Sequence, residues 1–293
     1  MPKFPGIYVA VITPFTEQDE VDYPRLHDHV EWLIQNGIHG LVPIGSVGEY
    51  ASLTDDERAR VVETIIKATA GRVPVMVGTG APATRKAVFW ARHARESGAS
   101  ALMALPPINY RPTKREVIAH YEALASVGLP IVAYNNPFDT STDLTPDFLN
   151  EMAHIKELVG VKEFSGDVRR IPEILEKTSL EVLAGADDLA LEGMLAGATG
   201  WIAGLTNAIP AESVQLYDLV QAGKLVDARK LYHSLLPLLR HDTTPRLVQA
   251  IKFACKLAGR PVGITRAPRL PLEESELRAV EADYKRAKGL KLT

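Results

Sequence analysis

Cysteine is nearly absent: Cys255 stands alone in 293 residues. One thiol cannot close an intrachain disulfide, and no cysteine cluster for zinc or iron–sulfur can be built from it. A basic excess is also missing, with 33 Lys and Arg against 36 Asp and Glu. That excludes the broad electrostatic footprint of a nucleic-acid binder. Long apolar runs are missing too. The longest early one, Ile7 to Ile12, is far short of the ~20 residues that span a bilayer, and it lacks the basic flank and cleavage site of a signal peptide. No nucleic-acid or membrane partner is therefore expected, and a cytoplasmic location is. Gly78-Thr79-Gly80 lacks the third glycine of a dinucleotide site, and no P-loop pattern occurs. His27 and His29 lie two apart on one helix and do not face one ligand. No His/Asp/Glu grouping has metal-ligand spacing, so neither metal nor cofactor is expected. What is present is ordinary for a globular chain: 46% apolar and 24% charged residues.

At ~150 residues per domain the length allows two domains, and a single α/β barrel of about 250 residues fits equally well. Eight short β-rich runs decide between them: Ile7–Ile12, Gly40–Ile44, Val73–Gly78, Ala101–Ala104, Pro130–Tyr134, Leu158–Glu163, Leu180–Ala184 and Gly200–Ala203. Most are continuous apolar runs, as parallel strands buried on both faces require. Helix starts separate them. Thr54 to Glu57 and Thr113 to Glu116 are capping boxes. Asp22 caps a helix with Leu26, Val30, Leu33 and Ile34 inward, and Thr145-Pro146 puts proline at a first helical position. Helix-to-strand joints at Gly37, Gly98 and Gly197 share one grammar: a glycine stops the helix and a strand follows. The expectation is an α/β fold, a (β/α)8 barrel over residues 1–222, with a doubly wound open sheet as the alternative. Residues 223–293 read as a helical extension packed on that barrel.

Barrel chemistry sits at the C-terminal ends of strands, and that filter selects few residues. Lys162 ends the apolar run Leu158 to Glu163, where a charge is costly unless used or paired. Desolvation lowers an amine's pKa and frees its lone pair for attack on a carbonyl. The plain alternative is a lysine that snorkels to solvent or pairs with Glu163 or Asp167. Tyr134 ends the neighbouring strand and can relay protons, or serve as a rim residue. Ser46, in the turn Gly45-Ser46-Val47-Gly48-Glu49, can extend that relay or bind a carboxylate, or do turn chemistry only. Gly185 to Asp188 follow the seventh strand. Asp187 and Asp188 can orient substrate hydroxyls or cap a helix. Cys255 reads as a small core residue.

Gly45-Ser46-Val47-Gly48-Glu49, Tyr134-Asn135-Asn136-Pro137 and Gly160-Val161-Lys162-Glu163, in this order, resemble the dihydrodipicolinate synthase / N-acetylneuraminate lyase family nearly end to end. The resemblance implies class I, metal-free lyase chemistry on a small-molecule 2-oxo acid such as pyruvate. Lys162 would form the Schiff base, Tyr134 would shuttle protons, and Gly45, Ser46 and Val47 would hold the carboxylate. It also implies a homotetramer, a dimer of dimers. Several residues depart from the synthase branch. Val47 replaces a second hydroxyl, Tyr50 and Phe164 replace small residues, and Asp139 stands where an arginine grips the carboxylate of aspartate semialdehyde. Tyr110 is shifted relative to the tyrosine that reaches a partner's site. Asp55, Arg58, Pro82 and Lys86 match the positions through which lysine-inhibited members bind lysine. These departures point to hydroxylated oxo acids, such as 2-oxo-3-deoxy sugar acids, with aldol cleavage, condensation or dehydration as outcome. Authentic 4-hydroxy-tetrahydrodipicolinate synthase and a non-catalytic oxo-acid-binding barrel are the alternatives.

Overall fold

A computed structural model describes residues 3–290. Its eight strands are β1 Gly6–Ala10, β2 Gly40–Val42, β3 Met76–Gly78, β4 Ala101–Ala104, β5 Ile131–Asn135, β6 Leu158–Glu163, β7 Glu181–Ala184 and β8 Gly200–Ala203. All pair in parallel, in the order β2-β1-β8-β7-β6-β5-β4-β3. A parallel bridge between Leu41 and Val75 joins the two ends and closes the barrel. The open sheet is thereby excluded.

The helices are α1 Tyr23–Gln35, α2 Asp55–Thr69, α3 Thr84–Ser97, α4 Lys114–Ala125, α5 Pro137–Thr140, α6 Pro146–Glu151, α7 Arg170–Lys177, α8 Ala190–Leu195, α9 Pro210–Gln221, α10 Leu225–Leu239, α11 Leu247–Leu257 and α12 Glu274–Gly289. Their starts follow the side-chain chemistry. Thr54 and Thr113 head reciprocal capping boxes with Glu57 and Glu116. Asp22 and Thr145 accept backbone N–H bonds at the starts of α1 and α6. Gly37, Gly98 and Gly197 all take positive φ at the ends of helices, the left-handed turn that a residue with a Cβ adopts only under strain.

Three strands fall short of one end of their apolar runs by two residues or more. Proline explains two of them: Pro43 follows β2 and Pro74 precedes β3, and neither has an N–H for a ladder. The third is β1. Beyond Ala10, Ile12 donates its N–H to Asn207 Oδ1 at 3.3 Å, so a side chain replaces the neighbouring strand. The C-terminal helices share the barrel's core: Leu231, Leu235, Ile251 and Cys255 are buried in the same apolar cluster as β1 and β8.

Candidate active site

The ends of β5 and β6 set the geometry. Tyr134 and Lys162 are register partners. They become so only because the register shifts between Ile131 and Val132: Ile131 pairs with Leu158, but Val132 pairs with Gly160. Val159 is left over as a bulge. Such a bulge re-aims every later side chain on the strand, and here it turns Lys162 to the barrel interior beside Tyr134.

Both residues line a cavity of about 670 Å³, together with Gly45, Ser46, Val47, Asp139 and Asp188. Lys162 is only 6% exposed, and its Nζ lies 4.3 Å from the Tyr134 ring centroid. Neither carboxylate that could have paired with it does so. Glu163 accepts from Asn135 Nδ2 at 2.9 Å and Ser165 N at 2.7 Å, and Asp167 is held by Arg169. Burial holds the Lys162 ammonium below the usual lysine range, against the pull of Asp242 and Asp187. Burial also raises the Tyr134 phenol, with Asp242 adding to it. The phenol therefore stays protonated at neutral pH. Its oxygen accepts from Asn136 Nδ2 at 3.2 Å, which leaves its own O–H free to point elsewhere.

The turn that carries Ser46 is strained and braced. Ile44 and Glu49, which flank it, have φ of 63° and 55°. For a β-branched residue such as Ile44 that is a true outlier. Thr13 Oγ1 donates to Gly48 O at 2.7 Å. Glu49 is fully buried and pairs with Lys252 of α11 at 2.7 Å. Glu49 thus anchors the turn to the C-terminal extension, and Ser46, half-buried, stays at the cavity wall.

Three sequence-selected residues lie elsewhere. Asp187 is fully buried and outside the cavity. Its carboxylate accepts from Trp201 Nε1 at 2.9 Å, Gly204 N at 3.1 Å and Leu205 N at 2.7 Å. It satisfies the turn after β8, so its expected contact with substrate is corrected to a structural one. Gly185 is wedged against β6, where a Cβ would meet Glu163 O at 2.6 Å, and it too lies off the cavity. Tyr110 is 50% exposed and does not line it.

Asn136, in the Tyr134-Asn135-Asn136-Pro137 motif, bridges Tyr134 and Asp139, donating to Asp139 Oδ2 at 2.8 Å. The strand-end filter missed the wall residues Asp242, Thr243, Thr244 and Pro245, which come from the segment between α10 and α11. The signal for them is a short polar run, His241 to Thr244, between two helical stretches. Among the described residues, no group of three or more His, Cys, Asp or Glu is arranged to hold a metal ion. No helix there is long and apolar enough to cross a membrane.

Similarity to known proteins gives the family. The model of the dihydrodipicolinate synthetase family matches residues 3–287. The 4-hydroxy-tetrahydrodipicolinate synthase of Methanoculleus marisnigri is 37% identical over 281 residues, covering 93% of this chain and 96% of that one. The dihydrodipicolinate synthase structure from Aquifex aeolicus superposes with a TM-score of 0.91 at 32% identity, over 97% of this chain and 98% of its own. YagE, an E. coli K12 prophage protein of the dihydrodipicolinic acid synthase family solved in complex with pyruvate, superposes with a TM-score of 0.92 at 28% identity, over 98% and 99%. With that coverage and a lysine at the end of the sixth barrel strand, the chain belongs to the dihydrodipicolinate synthetase family, a family of class I Schiff-base lyases.

Proposed function

We propose that this lyase acts on a hydroxylated 2-oxo acid with a single carboxylate, through a Schiff base on Lys162. The observation that carries the reading is a buried amine with no carboxylate partner, in register with a buried phenol. The lowered ammonium supplies a neutral amine that attacks the 2-oxo carbon. The carbinolamine loses its oxygen as water, and Tyr134 is the group placed to carry protons to and from that oxygen. Backbone groups of Gly45 to Val47 and the Ser46 hydroxyl would hold the carboxylate of the oxo acid. The pyruvate complex of YagE supports a 2-oxo acid as the common substrate part.

The far side of the cavity supports the substrate class. Asp139 and Asp188 line it, and no arginine does. A second carboxylate would meet like charge there, whereas hydroxyls would meet acceptors. Val47 and Phe164 add apolar wall. A second reading, authentic 4-hydroxy-tetrahydrodipicolinate synthase, is favoured by the names of the relatives. We further infer a cytoplasmic homotetramer that uses neither metal nor cofactor.

Borohydride reduction in the presence of pyruvate tests the chemistry. Mass spectrometry should find one reduced pyruvate adduct, on Lys162. No adduct, or one on another lysine, refutes the reading and favours a non-catalytic binding barrel. A panel of 2-oxo acids then separates the substrates: hydroxylated monoacids should turn over faster than pyruvate with aspartate semialdehyde.

A further inference from the structure

The C-terminal extension puts into the cavity a group for which strand-end chemistry has no use. Asp242 lies in the turn Arg240–Thr243 between α10 and α11. It is only 6% exposed and lines the cavity with Lys162 and Tyr134. Its Oδ2 accepts from Asp187 N at 3.0 Å. Its Oδ1 lies 3.1 Å from where a Cβ on Gly204 would stand. Gly204 is itself a cavity residue, so the missing side chain leaves Oδ1 open to the cavity.

The neighbourhood decides which carboxyl holds a proton. Asp187 has three N–H donors, from Trp201, Gly204 and Leu205. Asp242 has one. Two neighbouring buried carboxyls do not both ionise freely, and hydrogen bonds favour the charged form of the better-donated one. Asp187 therefore keeps the charge, with its pKa pushed up only to about 6. Burial and Asp187 hold Asp242 well above the usual carboxylate range, against the pull of Lys162 and with Asp188 adding to the rise.

We propose that Asp242 is a general acid that protonates the C4 hydroxyl of the Schiff-base-bound 2-oxo acid, so that water leaves. This rests on the Schiff-base reading of Lys162 and selects dehydration over cleavage. Cleavage of the C3–C4 bond needs a base to take the proton from that hydroxyl, and a carboxyl that already holds its proton cannot do so. In the proposed step the iminium acidifies C3, whose proton passes to a cavity water while the C–H pair forms the C2=C3 enamine. The enamine pair then shifts to C3=C4. The C4–O bond breaks with its pair on oxygen, which takes the Asp242 proton and departs as water. The hydronium formed from the C3 proton reprotonates Asp242, and hydrolysis of the unsaturated iminium frees Lys162.

The test uses five- and six-carbon 2-oxo-3-deoxy sugar acids, with product analysis, on the wild type and on Asp242→Asn. Asparagine keeps the shape and the neutral charge of the protonated acid but cannot donate a proton from a carboxyl. The wild type should release the dehydrated oxo acid. Asp242→Asn should lose roughly 10²-fold or more in turnover, while its borohydride adduct with pyruvate stays within about threefold of wild type. That retained adduct separates loss of the acid from misfolding. Turnover of Asp242→Asn within a few-fold of wild type, release of pyruvate by the wild type, or no turnover on any member of the series would overturn the proposal. A wild type that forms no pyruvate adduct overturns the Schiff-base reading first, and Asp242's role with it.

Discussion

Lys162→Ala removes the lone lysine from the cavity wall, and no neighbouring group there can replace the nucleophile. Turnover and borohydride labelling should both vanish, while the circular dichroism spectrum is retained. Residual activity near wild type would show that another residue carries the carbonyl. The pH dependence has a definite sign. Because burial lowers the ammonium pKa, adduct formation should rise with pH through a midpoint below the ~10.4 of a free lysine and level off above it. A midpoint at or above that value would mean that Lys162 is not desolvated in solution. Tyr134→Phe keeps the ring beside Lys162 and removes the phenol, so turnover should fall by roughly 10²–10⁴. A loss of only a few-fold would assign the proton to another group. At this scale Lys162 was legible as a candidate because a lysine in an apolar strand end is anomalous. Asp187 was ambiguous for the converse reason: an acid after a strand looks available until the N–H groups of the next strand's turn are seen to claim it.

Among the elements, the contact between the β2 turn and α11 is the one with a sharp energetic signature. Glu49 and Lys252 are both nearly inaccessible. Removing one partner of such a pair typically costs about 3–5 kcal/mol, because the other charge is stranded, whereas an apolar double replacement recovers much of it. Lys252→Met should therefore lower the urea midpoint strongly, and Glu49→Leu combined with Lys252→Met should restore most of it. Equal destabilisation of the single and double variants would show that packing, not charge, holds the turn. Element positions and helix caps were readable from local chemistry: hydroxyl caps, prolines and glycines act within a few residues of themselves. The bulge at Val159 was not, because it exists only in the pairing of β6 with β5.

Across the whole molecule, charge around the cavity argues against efficient synthase chemistry. Loss of a charge-assisted hydrogen bond costs about 1.5–3 kcal/mol, and Asp139 adds like charge where the semialdehyde carboxylate would sit. A penalty of more than roughly tenfold in kcat/KM against the preferred substrate follows. Lysine should not inhibit. Arg58 is fixed as a cation, donating to Gly80 O at 2.9 Å and Gly78 O at 3.0 Å with Trp90 at 4.4 Å. Asp55 is already paired with Lys86. Steady-state kinetics with pyruvate and aspartate semialdehyde, with and without millimolar lysine, check both; efficient turnover or saturable inhibition would contradict them. EDTA should leave activity unchanged, and a divalent ion that restores lost activity would reveal a metal site.

Residues 3–290 owe to their own order the barrel, its eight strands, the helix starts, and the lysine and tyrosine that end β6 and β5. Those follow from periodicity, burial and local hydrogen bonding, which act over short stretches of chain. Tertiary structure alone decided that Tyr134 and Lys162 share a register, through one unpaired residue. It alone decided which carboxyls reach the cavity. Asp187 and Asp242 are 55 positions apart, and nothing local distinguishes them. The backbone N–H groups after β8 saturate the first, and the open space at Gly204 leaves the second an oxygen facing the cavity. Long-range donors and free volume are properties of the folded chain, because they come from elements that meet only when the barrel has closed.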